Sequence, residues 1–199
     1  MHSQNHEDDF IVEYFAADPP EQAHTFLDIG SHDGRTFSNV LALLEKGWSG
    51  VMVEPSPIPF SGLVRHHGDN PRLTLVNAAV SPVSEWATFH DPGGDMIGST
   101  NERHVKKWAK HPGVSYRKFD LRTVSVASLL DRFGHVFDFI NVDVEGESAS
   151  LFLSLLDAGA SARCFCVEHD SRFADILERA KPLGLSERLR NGENIILTS

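Results

Sequence analysis

Cysteine is scarce: Cys164 and Cys166 are the only two among 199 residues. They are spaced C-x-C inside "ARCFCVEHD", so on a strand both point to the same face, which suits packing rather than a bridge between them. No zinc spacing and no disulfide framework can be assembled from them, and a reducing cytoplasm is the expected setting. Basic charge is also short, with 18 Lys and Arg against 28 Asp and Glu for a net charge of -10. That balance argues against nucleic-acid or anionic-membrane partners, because no basic surplus exists to neutralise phosphates. The basic stretch "RHVKKWAK", Arg103 to Lys110, reads as a solvated helix face. No apolar run approaches the ~18 residues needed to span a bilayer, and "MHSQNHEDDF" has neither a positive n-region nor an apolar h-region, so no signal peptide is expected. Internal repeats and low-complexity segments are absent as well.

What is present is alternation. Strand-like apolar runs are separated by amphipathic stretches, the pattern of a parallel sheet flanked by helices. After a helix over residues 10–17, "TFLDI" is the first strand and "RTFSNVLALLEKG" a helix ended by Gly47. "SGVMVEP" is a second strand, "PFSGLVRHHG" a helix and "RLTLVNAAV" a third strand. The alternation then breaks over residues 81–122, where "EWATFHD" and "VSYRKFDLRTVSV" read as a β excursion. An insertion this long in a compact domain is commonly a lid or substrate wall. Regularity returns with "VASLLDRFG", "FDFINVDVEG", "ESASLFLSLLDAG", "ARCFCVEHD" and "SRFADILERAKPLG", and "LSERL" and "ENIILTS" close the chain as a hairpin. The expected architecture is one α/β domain over residues 1–199. It has a doubly wound, mostly parallel sheet, helices on both faces, an N-terminal helical extension (1–24) and an insertion after the third strand.

In such sheets ligands sit outside the carboxyl ends of the strands. The residues gathered there are Asp28, Gly30, Ser31, His32, Asp33 and Gly34 from the first strand, and Glu54 with Pro55 from the second. Asn77 and Ala78 follow the third strand and are expected near an adenine. Asn141, Asp143, Glu145 and Gly146 end the fourth, and Glu168, His169 and Asp170 the fifth. A dinucleotide site wants G-x-G-x-x-G, whereas Asp28–Gly30–Gly34 is D-x-G-x-x-x-G, with His32 in place of the middle glycine. Two carboxylates, Asp28 and Asp33, also disfavour a pyrophosphate. They suit a ligand with cationic ammonium and sulfonium groups, S-adenosylmethionine, and Glu54 stands where an acid accepts both ribose hydroxyls.

The blocks "FLDIGSHDGRTF", "GVMVEPSP", "LTLVNAAVS", "FDFINVDVEGES" and "CVEHD", in this order, resemble the FkbM family of S-adenosylmethionine-dependent methyltransferases. The likeness runs from about Phe10 to Asp170, and D-V-E-G-E at Asp143–Glu147 is its most distinctive part. It implies a seven-stranded methyltransferase (Rossmann-like) fold and O-methylation, often of a sugar or polyketide hydroxyl. It also implies cofactor contacts at Asp28, Gly30, Asp33, Gly34 and Glu54, to which Ser31, Pro55, Asn77, Ala78 and Asp143 are added as neighbours in the same turns.

Methyl transfer asks the protein to hold two reactants in line and remove a proton. Asp143 or His169 is the expected base, His169 because its ordinary pKa lies near neutrality, with Glu145 orienting a small-molecule or glycan acceptor. Ser99 and Thr100 are further acceptor candidates. Asp143, Glu168, His169 and Asp170 together offer donors for a hard divalent cation, although no metal is expected. Two other readings stay open: an NAD-linked oxidoreductase and a methyltransferase-like binding module without turnover.

Overall fold

A computed structural model describes residues 2–199. The first half runs α1 (Glu7–Tyr14), β1 (Thr25–Ile29), α2 (Leu41–Glu45), β2 (Ser49–Val53), α3 (Pro57–His67) and β3 (Leu73–Val76). The insertion contains β4 (Val80–Ser81), β5 (Trp86–Asp91), α4 (Glu102–Trp108), β6 (Arg117–Arg122) and β7 (Val124–Ser125). The second half continues α5 (Val126–Phe133), β8 (Val136–Val142), α6 (Ser148–Asp157), β9 (Ser161–Glu168), α7 (Phe173–Ala180), β10 (Ser186–Arg190) and β11 (Asn194–Thr198).

Seven strands pair in the order β10-β11-β9-β8-β1-β2-β3, parallel throughout except at β11, which runs against both β9 and β10. The order reverses direction beside β1, the switch point where open α/β sheets place ligands. Strand alternation sends successive side chains to opposite faces, and both faces are covered. Phe26, Met52, Phe139, Cys164, Cys166 and Ile196 pack with Ile11, Leu44 and Leu63 from the α1–α3 side. Leu27, Val51, Ile140, Phe165 and Ile195 pack with Leu129, Phe152 and Ile176 from the α5–α7 side. Fully buried side chains such as Phe26, Phe139 and Phe152 each contribute about 1.5–3 kcal/mol of transfer free energy. The two cysteines are free and buried, as their shared face predicts.

Three elements differ from the sequence expectation, the first being the N-terminal helix, which runs Glu7–Tyr14 rather than over residues 10–17. The helix expected from Arg35 starts only at Leu41. The Asp33 carboxylate accepts from the backbone N–H groups of Arg35 and Thr36 at 2.9 and 2.7 Å, and Phe37 takes a positive φ of 52°. These hold a turn until the Ser38 hydroxyl accepts from the backbone of Val40 and Leu41 and releases the helix. The third strand stops at Val76, because Asn77 turns away and donates its amide to the carbonyls of Glu54 and Pro55 at 2.8 and 3.2 Å.

The insertion is closed at its base, where β4 and β7 pair in parallel and Ser81 and Thr123 share a 2.6 Å hydroxyl bond. Its body is the antiparallel β5–β6 ribbon, Trp86 to Asp91 against Arg117 to Arg122.

Candidate active site

Register explains why the site residues meet. Val53 and Val142 both pair with Ile29, Val76 pairs with Val53, and Val167 with Val142. The next residue along each strand is therefore on one edge: Asn77, Glu54, Gly30, Asp143 and Glu168. A cleft of about 1120 Å³ opens along it.

On the β1–β2 side the chain is drawn tightly together. Gly30 and Ser31 both donate to the carbonyl of Val53. Gly30 has φ +95°, and a Cβ there would lie 1.6 Å from the carbonyl oxygen of Asp143, so the first loop and the D-V-E-G-E segment touch through their main chains. Asp28 is buried and accepts from Asn141 Nδ2 at 2.8 Å. Asn141 in turn accepts from Asn39 Nδ2 at 3.0 Å, a relay that fixes the carboxylate below the loop. Glu54, also buried, accepts from the backbone of His32 through one oxygen and of Ser56 through the other, at 2.9 and 2.7 Å. Each oxygen keeps a free lone-pair direction, which fits a ribose diol. Burial pushes Asp28 up to about 6 against the pull of Asn141 and Ser31. It pushes Glu54 up to about 7, with Asp28 and Asp91 adding to it.

On the β8–β9 side, Asp143 is half-buried, lines the cleft, and makes no side-chain hydrogen bond among the described residues. Glu145, with φ 56°, lies 3.4 Å from His104 Nε2. Burial and the neighbouring carboxylates of Glu168, Glu145 and Asp28 raise Asp143, and burial with Glu168 and Asp170 raises Glu145. His169 accepts from the Ser171 N–H at Nδ1 (3.0 Å) and faces the Asn191 carbonyl with Nε2 at 3.3 Å. Both ring nitrogens thus have a partner within the protein. Glu168 holds the Ser148 hydroxyl and Asp170 the Ala149 N–H. Of the four residues considered for a cation, Glu168, His169 and Asp170 each have such a partner and Asp143 has none, and among the described residues no group of three His, Cys, Asp or Glu side chains is placed to hold a metal ion.

The insertion roofs both sides. Ser99 donates to the Glu145 carbonyl at 2.7 Å. Asn101 caps α4 with its oxygen and gives its amide to Gly146 O and Glu147 Oε1. Towards β2, Ser56 donates to Asp91 at 2.7 Å, and the His32 ring meets the Gly94 carbonyl at 3.2 Å.

Of the candidates, Asp28, Gly30, Ser31, Glu54, Pro55, Ala78, Asp143, Glu145 and His169 line the cleft. Asp33, Gly34 and Asn77 do not; they shape the turns behind it. Asn39, His90, His104, Trp108 and Asn194 also line it, and no local motif marked them. Six buried side-chain nitrogens or oxygens among the described residues have no hydrogen-bond partner. Five belong to cleft-lining residues: His32 Nδ1, His90 Nδ1, His104 Nε2, Trp108 Nε1 and Asn194 Oδ1. Buried polar atoms are normally satisfied, and the exceptions among the described residues gather along the cleft.

The raised acids predict how the ligand-free protein responds to pH. Asp28 and Glu54 bind their protons more tightly folded than unfolded, so their contribution is full below the unfolded value and lost as pH rises through about 6 and 7. His67, His90 and His104 are lowered by burial and act in the opposite sense below neutrality, but the acids carry the larger shifts. The melting temperature should therefore drop by about 5 °C between roughly pH 5 and pH 8, and Glu54→Gln should flatten the profile. A melting temperature rising across that range in calorimetry overturns this.

The fold and the family agree with this geometry. Among solved structures, the yhhF protein of Escherichia coli, assigned as a methyltransferase, superposes with TM-score 0.51 at 10% identity over 98% of this chain and 86% of its own. PH1948 of Pyrococcus horikoshii, assigned as an RNA methyltransferase, gives 0.50 at 10% identity over 97% and 81%. The METTL16 methyltransferase domain gives 0.50 at 11% identity over 96% of this chain, which spans only 64% of that domain. Likeness at these identities establishes the class I methyltransferase fold and nothing about the acceptor. No curated protein sequence matches the chain. The methyltransferase FkbM domain model, in contrast, matches residues 28–166, from Asp28 of the first loop to Cys166 of β9. The chain belongs to the FkbM methyltransferase family and is an S-adenosylmethionine-dependent methyltransferase.

Proposed function

We propose that the chain O-methylates a hydroxyl of a sugar or other small polyhydroxylated acceptor, with Asp143 as the base. The cofactor is held by Asp28, Gly30, Ser31, Glu54, Pro55 and Ala78, with Asp33, Gly34 and Asn77 shaping the turns from behind. It supplies a methyl group already activated by a positively charged sulfonium. Glu54 accepts the ribose hydroxyls, and Ala78 offers an apolar surface beside the adenine. The insertion, residues 81–122, forms the acceptor wall and excludes water from the cleft.

The observation that carries the base assignment is the position of Asp143. Its main chain abuts Gly30, while its carboxylate is unbonded and lines the cleft. The acceptor oxygen would take the methyl carbon as the carbon–sulfur bond of the bound cofactor breaks, leaving S-adenosylhomocysteine, and the proton of its O–H would pass to Asp143. A carboxylate raised by burial and like charge is a stronger base than an ordinary one, which matters for a weakly acidic hydroxyl. Glu145 orients the acceptor, and His169 holds the Ser171 turn.

Titration with S-adenosylhomocysteine, followed by transfer of labelled methyl from S-adenosylmethionine to a panel of hydroxylated acceptors, tests the reading. Asp143→Asn should keep S-adenosylhomocysteine affinity within about 3-fold and lower kcat by roughly 10²–10⁴. Unchanged turnover sinks the base assignment. Cofactor binding without turnover on any hydroxyl favours a non-catalytic module. Stabilisation by NAD alone overturns the whole reading.

A further inference from the structure

The cleft carries charge of one sign. Twelve acidic side chains line it against three basic ones, Arg103, Lys107 and Arg172, while the whole chain has 28 against 18. Asp28 and Glu54 answer to the cofactor, and Asp143 is assigned to the proton. Of the nine that remain, Glu145, Glu168, Asp170 and Glu193 gather where the ends of β8 and β9 meet the β10–β11 turn. Their fields act on one another: Glu168, Asp170 and Glu193 all bear on Glu145. Among the described residues no Lys or Arg comes within 4 Å of any of the four. Arg172 is turned to Asp175 and Ser150, and Lys107 reaches Glu145 only through its longer-range field. Like charges gathered without a counter-ion cost free energy unless a cation arrives.

A second observation marks a ligand at the same spot. The His104 side chain is 9% exposed and points Nε2 to within 3.4 Å of Glu145, yet this nitrogen makes no hydrogen bond. It is held there by its own packing, since a Cβ on Gly146 would meet His104 Cβ at 2.9 Å, and by the Asn101 amide bonded to Gly146 O. Trp108, one turn further along α4, presents a second unpartnered ring nitrogen.

Building on the acceptor reading above, we infer that the acceptor carries a protonated amine beside the hydroxyl that is methylated, as in an amino sugar or aminocyclitol. The ammonium sits among Glu145, Glu168, Asp170 and Glu193, and the neighbouring hydroxyl meets His104 Nε2. A phosphorylated or carboxylated acceptor meets repulsion from the same four groups, and so does an RNA backbone.

The test uses the full chain and begins with S-adenosylhomocysteine binding, whose failure would count against the cofactor reading and not against this inference. The chain loaded with S-adenosylhomocysteine is then titrated with glucosamine, N-acetylglucosamine, glucuronate and glucose 6-phosphate. Glucosamine should bind about 10-fold more tightly than its neutral N-acetyl analogue, and the two anions should bind most weakly. Glu193→Gln should weaken glucosamine about 10-fold, leaving N-acetylglucosamine and S-adenosylhomocysteine unchanged. Asp170→Asn should do the same and stands in if the first variant is unstable. Three results overturn the inference: no glucosamine binding, equal affinity for amine and N-acetyl forms, or preference for an anion or an RNA oligonucleotide. A loss of S-adenosylhomocysteine affinity in Glu193→Gln also overturns it, because the carboxylates then serve the cofactor's own amine.

Discussion

Gly30→Ala should cost the protein about 4 kcal/mol or more, enough to lower its melting temperature by roughly 10 °C or to leave it insoluble. Two penalties add. At φ +95° an L side chain is strained, and its Cβ would lie 1.6 Å from the Asp143 carbonyl oxygen. The obstacle is backbone, so no rotamer change relieves it, and β1 and β8 would have to separate where Asp143 N–H bonds the Ile29 carbonyl. Gly93 is the control: φ +79° is equally left-handed, but nothing lies within 4 Å of its Cβ position. Gly93→Ala should cost only about 1 kcal/mol, so the difference between the two variants isolates the contact. Similar melting temperatures for both would remove Gly30 from its place as the joint between the cofactor loop and the D-V-E-G-E segment.

Glu54→Gln should weaken S-adenosylhomocysteine binding about 100-fold, near 2.7 kcal/mol. The substitution changes no shape, but both carboxylate oxygens accept backbone N–H groups, from His32 and Ser56. A glutamine must turn its NH2 toward one of them, so a donor faces a donor, and it can then accept only one of two ribose hydroxyls. The same logic has a pH signature. Burial lifts Glu54 to about 7, so the ligand-free site is partly protonated near neutrality. Affinity of the wild-type chain should decline as pH falls from about 8 to 6, whereas the variant's should stay flat. Isothermal titration at several pH values reads both, and a wild-type affinity independent of pH would separate Glu54 from the ribose.

The candidate site was legible where chemistry is local. D-x-G-x-x-x-G and an acid one strand later carry their meaning in spacing, and Asp28, Gly30, Glu54 and Asp143 all lie on the cleft. His32 was legible as a position and not as a contact: its ring meets Gly94, 62 residues along the chain. His169 shows the opposite limit. Its residue type suits a base, but the Ser171 N–H and the Asn191 carbonyl occupy both nitrogens, and those bonds follow from how the turn after β9 meets the β10–β11 hairpin. Asp33 likewise was expected at the cofactor, and its carboxylate is spent on the turn that delays α2.

Alternating apolar runs, with side chains facing opposite sides of each strand, determined the doubly wound sheet. The punctuation of glycine and acid at the strand ends determined the cofactor class. Both are short-range properties that a chain carries wherever it folds. The tertiary structure decided which acids share a cleft without a counter-ion, which histidine nitrogens remain unpaired, and how the insertion closes on Glu145. Those depend on register between strands and on contacts such as Ser99 to Glu145 and Asn101 to Gly146, spanning 46 and 45 residues. Separations that long leave no periodicity in the sequence, because what brings the two segments together is the burial of everything between them.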